Sequence, residues 1–388
     1  MDVLQIGVAI IGTGFMAQVH IEALRRVGVT IEGILGSSSD RSREAAQRFG
    51  LQLVYENWER VLEDPSVHAV HLCVPNRLHL PMARSALLAG KHVLCEKPLA
   101  MNSQESAELV ALAKQFSNQA TGVNYNNRYY PLCIEAKEAV AAGDLGRIFH
   151  ITGSVTQDWL LYDTDYNWRV LREEQGELRA LADIGAHWMD LMHFITGLEV
   201  EAICSDFTTV HPVRLRPIGE VATFAGKEAA PTETRPIPIR TDDYGAVLLR
   251  FRGGANGCFF VSQVSAGRKY RVAFEIAAQN RTLAWNSERS EEMWIGHRTE
   301  PNRMLMRDPA LLSPSARSAC DYPGGHNEGY PDTFKMCFRD FYRAIASGDL
   351  SKPTYPTFTD GHRDILMCDA ILRSHQKGGW VNVEGVPA

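Results

Sequence analysis

The chain has 388 residues, 45% of them hydrophobic and 22% charged, with a formal charge of −6. That length exceeds one ordinary core and points to roughly two domains. The mild acidic balance argues against a nucleic-acid partner, which needs a basic face, and no run of about 18 apolar residues exists to span a membrane.

Met1-Asp2-Val3-Leu4-Gln5 lacks the basic and apolar segments of a signal peptide, so the expected location is the cytoplasm. The eight cysteines, Cys73, Cys95, Cys133, Cys204, Cys258, Cys320, Cys337 and Cys368, are scattered with no C-x-x-C pair. They read as free thiols in a reducing compartment, and no clustered ligand set suggests a metal.

In chain order, residues 6–11 (IGVAII) form a continuous apolar run, as a strand buried on both faces requires. A glycine-rich turn and a helix to about residue 26 follow. Strands are expected at 30–35, 67–74, 92–95 and 119–123, and helices at 41–49, 80–89 and 103–116, with Gly50 and Gly90 as stops and Ser103 as a cap. This alternation predicts a doubly wound parallel sheet.

The pattern then changes. Helices are expected at 131–142 and 181–194, and strand-like runs at 148–157, 201–209, 244–251, 257–263, 271–277, 282–286 and 292–295. Their β-branched and aromatic content, broken by Gly or Asn turns, predicts a mainly antiparallel open sheet in an α+β domain. Residues 212–241, rich in Pro, Gly and Glu, read as a long insertion loop, and 301–325 reads similarly. Helices at 332–346 and 359–375 and a strand at 380–383 close the chain. The domain expectation is 1–128 for dinucleotide binding and 129–388 for substrate binding and oligomerisation, with the C-terminal helices free to pack back on the first domain.

Gly12-Thr13-Gly14-Phe15-Met16-Ala17 is G-x-G-x-x-A, placed after a buried strand and before a helix. In that context Gly12 permits the tight turn, Gly14 lets a pyrophosphate approach the backbone, and Ala17 keeps helix and strand close. The helix N-terminus then presents N–H groups to phosphate. At the second strand's tip stands Gly36-Ser37-Ser38-Ser39-Asp40-Arg41, with no carboxylate placed for a ribose 2′-hydroxyl. Ser37, Ser38 and Arg41 suit either the hydroxyls of NAD or the 2′-phosphate of NADP, and Asp40 is free to cap the next helix.

Val74-Pro75-Asn76-Arg77-Leu78-His79, Glu96-Lys97-Pro98-Leu99-Ala100 and Asp183-Ile184-Gly185-Ala186-His187-Trp188-Met189-Asp190 follow that turn. In this order they resemble the Gfo/Idh/MocA oxidoreductases, the sugar and inositol dehydrogenases and their relatives. The resemblance implies a Rossmann domain followed by an α/β domain whose large sheet often carries the oligomer interface. It also implies a cis Lys97–Pro98 bond in many members, and NAD contacts from Pro75, Asn76, His79, Glu96 and Lys97.

Dehydrogenating a carbinol needs a base for the hydroxyl proton as the hydride leaves, and histidine suits this without a large pKa shift. Asp183 and His187 are spaced i, i+4, so one helix would put both on one face, where the carboxylate fixes the imidazole tautomer. By resemblance Lys97, Asp183 and His187 match the family's catalytic set. His187 is the expected acid/base, Lys97 the donor that polarises the substrate oxygen, and Asp183 the orienter and a substrate partner. Taken singly, His187 reads as a core residue, Lys97 as a surface charge and Asp183 as a cap; Asp190 reads as a buttress.

Further expectations come from the same resemblance. Arg128 reaches the active site or forms an interdomain ion pair. Trp168 and Arg169 touch the nicotinamide end. His326 and Tyr330, in a late loop, contact sugar or nicotinamide. Trp159 and Tyr162 suit sugar stacking or core packing, and His68, His71 and His92 read as structural. The leading function is an NAD(P)-dependent dehydrogenase acting on a secondary hydroxyl of a sugar, sugar derivative or cyclitol, in a homodimer or tetramer. Two alternatives stand beside it: a redox-neutral NAD-dependent glycoside hydrolase, working by oxidation at C3, elimination, water addition and re-reduction on a neutral or anionic glycoside, and a non-catalytic sugar- or dinucleotide-sensing protein.

Overall fold

The computed structural model describes residues 3–218 and 233–385. They divide into two units, 3–126 with 331–365, and 127–218 with 233–330 and 366–385.

The first unit alternates β1 (Gly7–Ile11), α1 (Phe15–Val27), β2 (Thr30–Leu35), α2 (Ser39–Phe49), β3 (Leu53–Val54), α3 (Trp58–Glu63), β4 (Ala69–Leu72), α4 (His79–Leu88), β5 (His92–Cys95), α5 (Ser103–Gln115) and β6 (Thr121–Val123). The strands form one parallel sheet in the order β3-β2-β1-β4-β5-β6. Every residue of β1 is buried, which is why its sequence is apolar without alternation. Strand order reverses between β1 and β4, the place where such sheets open a ligand crevice beyond their carboxyl ends. The helix Tyr330–Ser347 contributes Phe341, which packs against Gly122 of β6.

Two short elements, β3 and α3, were not legible: a two-residue strand has no period, and α3 is a single capped turn and a half. Asn102 caps α5 in place of the expected Ser103, its side-chain oxygen accepting from the Glu105 N–H at 3.0 Å. Such a cap contributes about 1 kcal/mol.

The second unit contains α6 (Pro131–Ala141), β7 (Ile148–Thr156), α7 (Arg172–Gln175), α8 (Ala180–Asp183), α9 (Gly185–Thr196), β8 (Val200–Thr208), β9 (Val213–Pro217), β10 (Thr234–Pro238), β11 (Tyr244–Phe251), β12 (Asn256–Ser262), β13 (Arg271–Ala278), β14 (Thr282–Asn286), β15 (Glu292–Gly296), β16 (Arg303–Met306) and β17 (Val381–Asn382). Among the described residues nine strands form one sheet, β16-β15-β14-β13-β7-β12-β11-β8-β17, antiparallel except where β7 meets β12. The expected mainly antiparallel open sheet is therefore present. Helix α9 is fastened to it by Trp188, whose indole N–H donates to the Ala273 carbonyl at 3.0 Å and whose ring stacks on Phe259. Gly153 of β7 makes room for that ring: a Cβ there would stand 2.0 Å from the indole nitrogen.

Three expectations are corrected. The single helix over 181–194 is two, α8 and α9, broken at Ile184, so Asp183 ends one helix and His187 belongs to the next. The break falls where Gly185 packs closely on Val261 and Phe259 of β12. The loop read over 212–241 contains an antiparallel ribbon, β9 with β10, its centre lying outside the described residues. Prolines 217, 236 and 238 hid these strands, yet a two-stranded ribbon is all edge and tolerates them. The stretch 301–325 likewise contains β16 and the short helix Pro314–Arg317. Among the described residues no helix is long and apolar enough to cross a membrane, and the eight cysteines are free thiols.

Candidate active site

In the first unit the turn after β1 is built for close approach. Gly12 has φ 119°, and a Cβ there would lie 2.2 Å from the Cys73 carbonyl oxygen. Gly14 stands at the N-cap of α1, where no side chain caps the helix and a Cβ would meet nothing within 4 Å. That open cradle, with the first amides of a 13-residue helix facing it, fits a pyrophosphate. Ala17 is buried against the sheet, Met16 is half-buried and Phe15 is exposed.

At the β2 tip, Ser38 caps α2 by accepting from the Arg41 N–H, and Arg41 donates to the Ser37 hydroxyl at 3.4 Å. Asp40, read as a possible cap, instead pairs with Arg43 on the surface. The tip carries serines and a guanidinium.

Beyond β4, Pro75 is half-buried and Asn76 buried. His79 and Glu96, expected against the cofactor, are both buried and bonded to the loop that carries Lys97. His79 is fully buried, its ring spanning the carbonyls of Val74 at 3.1 Å and Pro98 at 2.9 Å. It therefore ties the β4 exit to the loop of Lys97. Glu96 is buried with one oxygen held by His20 and Asn124 and the other accepting the Lys97 N–H at 3.3 Å. The bonds from His20 and Asn124, with attraction from Lys97, outweigh burial and lower its pKa to about 2. Lys97 is half-buried, and the Lys97–Pro98 peptide is cis.

In the second unit the Asp183 and His187 side chains are both buried. Asp183 accepts from the Gln263 amide at 3.3 Å and has the Arg169 guanidinium 3.7 Å away. His187 meets the Tyr270 ring edge-on at 6.4 Å. The Tyr270 hydroxyl accepts from Asn127 at 2.9 Å, and burial together with the Asp183 charge pushes its pKa well up. Tyr330 completes the group, its ring edge-on to Tyr270 at 5.5 Å. Arg169 lies over the Trp168 ring at 4.5 Å and within 6.0 Å of the Trp159 ring. Trp159 itself packs on a small core of Leu160, Val170 and Ile239.

Arg128, expected in the active site or in an interdomain ion pair, forms an ion pair within its own unit. Its guanidinium forks onto Asp190, with Nε at 2.8 Å, and lies over Phe194. This buried pair pins Arg128, and hence the neighbouring Asn127, to α9. His326 is exposed, and it is its backbone carbonyl that accepts from Arg307.

Sequence reasoning missed Tyr270, Gln263 and a buried support beneath α8. The Asp242 carboxylate accepts from the Arg179 and Leu181 N–H groups at 2.6 and 2.8 Å, capping α8 from across the sheet. Asp243 lies between Arg179 and Arg214, all fully buried. Arg214 also donates to the carbonyls of Leu160, Tyr162 and Asp165, fixing the loop that leads to Arg169. The usable signal was position: Gln263 follows β12 and Tyr270 precedes β13, at the end of the sheet's central strands where β7 also ends.

Comparison with known proteins gives the kinship. A family model described as "Oxidoreductase family, NAD-binding Rossmann fold" matches residues 6–125, and the GFO/IDH/MocA C-terminal domain matches 133–284. An uncharacterized oxidoreductase of Synechocystis sp. is 35% identical over 97% of this chain and 95% of its own. The chain belongs to the Gfo/Idh/MocA family. As a Gfo/Idh/MocA member it is an oxidoreductase whose first domain is an NAD-binding Rossmann fold. Levoglucosan dehydrogenase of Pseudarthrobacter phenanthrenivorans is 29% identical, with 99% of each chain covered. Its structure in complex with NADH and L-sorbose superposes with a TM-score of 0.86 over 97% of this chain and 98% of that one. Myo-inositol 2-dehydrogenase of Thermotoga maritima is 26% identical over 64% of this chain and 66% of its own.

Proposed function

We propose that the protein is a dehydrogenase moving a hydride between NAD and a secondary hydroxyl of a sugar, sugar derivative or cyclitol. The observation that carries this is the buried group of the second unit, in which Asp183, His187, Arg169, Tyr270 and Tyr330 stand together. An imidazole and a carboxylate grouped about two phenols are a set for removing a proton from, and hydrogen-bonding to, a polyol. The relatives named for levoglucosan and myo-inositol oxidation support a substrate of that class.

Bound NAD supplies the hydride acceptor. His187 takes the hydroxyl proton as the carbinol C–H bond breaks, so the alcohol becomes a ketone and the imidazole an imidazolium. Lys97 donates to the same oxygen and stabilises its alkoxide character. Asp183 stabilises the charged imidazole and accepts from a substrate hydroxyl, while Arg169 limits where that carboxylate points. Tyr330 and Trp159 serve as walls for the ring, and His326 as a contact from the late loop. Gly12, Gly14, Phe15, Met16 and Ala17 hold the pyrophosphate, with Pro75 and Asn76 beside it and Trp168 at the nicotinamide end. Ser37, Ser38 and Arg41 hold the adenosine ribose and leave room for a 2′-phosphate.

The protein is also proposed to be a homo-oligomer. Tyr244, Leu248, Phe260 and Met304 are exposed apolar side chains on the open face of the nine-stranded sheet, a surface suited to a second copy.

The test is a substrate screen with NAD and NADP separately, against pyranoses, levoglucosan and cyclitols including myo-inositol. Both reduced nicotinamide and released free sugar are followed. Stoichiometric reduced nicotinamide with a ketone product is expected. Sugar release from glycosides without net reduced nicotinamide would replace oxidation with redox-neutral cleavage.

A further inference from the structure

The first unit contains a chain of buried polar groups that the chemistry above does not use. His20 of α1, His71 of β4, Glu96 after β5 and Tyr342 of the helix Tyr330–Ser347 are each at most 5% exposed. The contacts run in line: Glu96 Oε1 to His20 Nε2 at 2.8 Å, His20 Nδ1 to His71 Nδ1 at 2.8 Å, and His71 Nε2 to the Tyr342 hydroxyl at 2.8 Å. Phe338 meets both imidazoles edge-on at 4.7 and 4.9 Å, and Tyr342 stacks on His71, so neither ring has room to turn.

Proton counting fixes the direction of this chain. An ionised carboxylate only accepts, so His20 carries hydrogen on Nε2. The Nδ1–Nδ1 contact needs one proton, and two patterns supply it. In the first, both imidazoles are neutral: His71 donates from Nδ1 to a bare His20 Nδ1, and Tyr342 donates its hydroxyl proton to His71 Nε2. In the second, His20 is an imidazolium and His71 donates from Nε2 to the Tyr342 oxygen. The second pattern strands the Tyr342 proton, because among the described residues His71 is that hydroxyl's one hydrogen-bond partner. A buried hydroxyl proton without an acceptor loses its hydration and gains nothing in return. The first pattern wastes nothing. Burial agrees with it, driving His71 well below the ordinary imidazole range and Tyr342 well above the phenol range.

We propose that Tyr342, His71 and His20 form a one-way hydrogen-bond chain that ends on the Glu96 carboxylate, holds it in place and thereby positions Lys97. Glu96 is where the chain meets the loop: its second oxygen accepts the Lys97 N–H, and its charge attracts the lysine. Tyr342, His71 and His20 touch neither substrate nor cofactor and act through Lys97, so they are positioning residues. The proposal rests on the role given to Lys97 above.

The test combines a spectroscopic and a kinetic measurement on the full-length protein. With 15N-histidine labelling, long-range proton–nitrogen correlation reads the tautomers. His20 is expected with hydrogen on Nε2 alone and His71 with hydrogen on Nδ1 alone; a doubly protonated His20 in the wild type would overturn the assignment. Tyr342→Phe removes only the terminal donor and leaves His71 Nε2 without its hydrogen-bond partner, so the chain is no longer pinned at its far end. kcat is then expected to fall about tenfold while KM and NAD affinity stay within about twofold. Unchanged kcat in this variant, whatever happens to Tm, would mark the chain as packing alone and sink the proposal. Lys97→Ala separates the two claims: near-normal turnover there removes the Lys97 role, and the positioning role with it, while leaving the wild-type tautomers as assigned.

Discussion

Asp183 is aimed by groups from elsewhere in the second unit: the Gln263 amide at 3.3 Å and the Arg169 guanidinium at 3.7 Å. A hydrogen bond to a charged group contributes about 1.5–3 kcal/mol, so Gln263→Leu is expected to lower kcat/KM by roughly ten- to a hundredfold. Binding of NAD, measured by fluorescence titration, should be unchanged; equal kinetics in wild type and variant would show that Asp183 needs no such donor. Asp183, His187 and Lys97 could be singled out in the sequence because each belongs to a local string with recognisable spacing. Gln263 and Tyr270 were not, because each is brought to the site by a strand some 80 residues later, and nothing in their own neighbourhoods marks them. Arg128 shows the converse. The resemblance offered the active site or an interdomain ion pair for it, whereas Asp190 of the same unit takes its fork.

Helix α8 is four residues long and would not hold its shape alone. Asp242 supplies what it lacks, accepting two N–H groups at its start. Asp242→Ala is predicted to destabilise the protein by about 3 kcal/mol, since two buried amides lose their acceptor, and to lower kcat through Asp183. A denaturant midpoint within error of the wild type would contradict this. The break after Asp183 was invisible in a run of helix-forming residues because its cause is contact with β12. The parallel strands, by contrast, were legible from end to end, since burial on both faces leaves uninterrupted apolar runs such as that of β1.

The first unit should be acid-sensitive. His71 and His92 are held neutral by burial, His92 with its pKa lowered to about 4, while Glu96 is held ionised with its pKa lowered to about 2. All three bind fewer protons folded than unfolded, so stability rises with pH. The histidine contribution is complete above about pH 6.5 and is lost as pH falls toward 4; that of Glu96 is complete above about 4.5 and is lost toward 2. Thermal midpoints should therefore drop between neutral pH and about pH 5, before any carboxylate titrates appreciably. A flat profile over that range would mean that these imidazoles are not buried in solution.

At the scale of the whole molecule, the open sheet face and the division of labour between domains remain to be tested. Leu248 and Phe260 are 51% and 42% exposed on adjacent strands. Replacing both with arginine is predicted to reduce the particle to a monomer by light scattering, whereas an unchanged mass would place any self-association elsewhere. The proposed chemistry divides in the same way, an amine from the NAD-binding unit and an imidazole from the other. Single-turnover formation of reduced nicotinamide tests it most directly, using the substrate the screen identifies and saturating NAD, in wild type, Lys97→Ala and His187→Ala. Both variants should bind NAD with wild-type affinity and lose about 10²–10⁴-fold in the rate of the chemical step. Reduced nicotinamide appearing at a near-wild-type rate in either one would contradict the account.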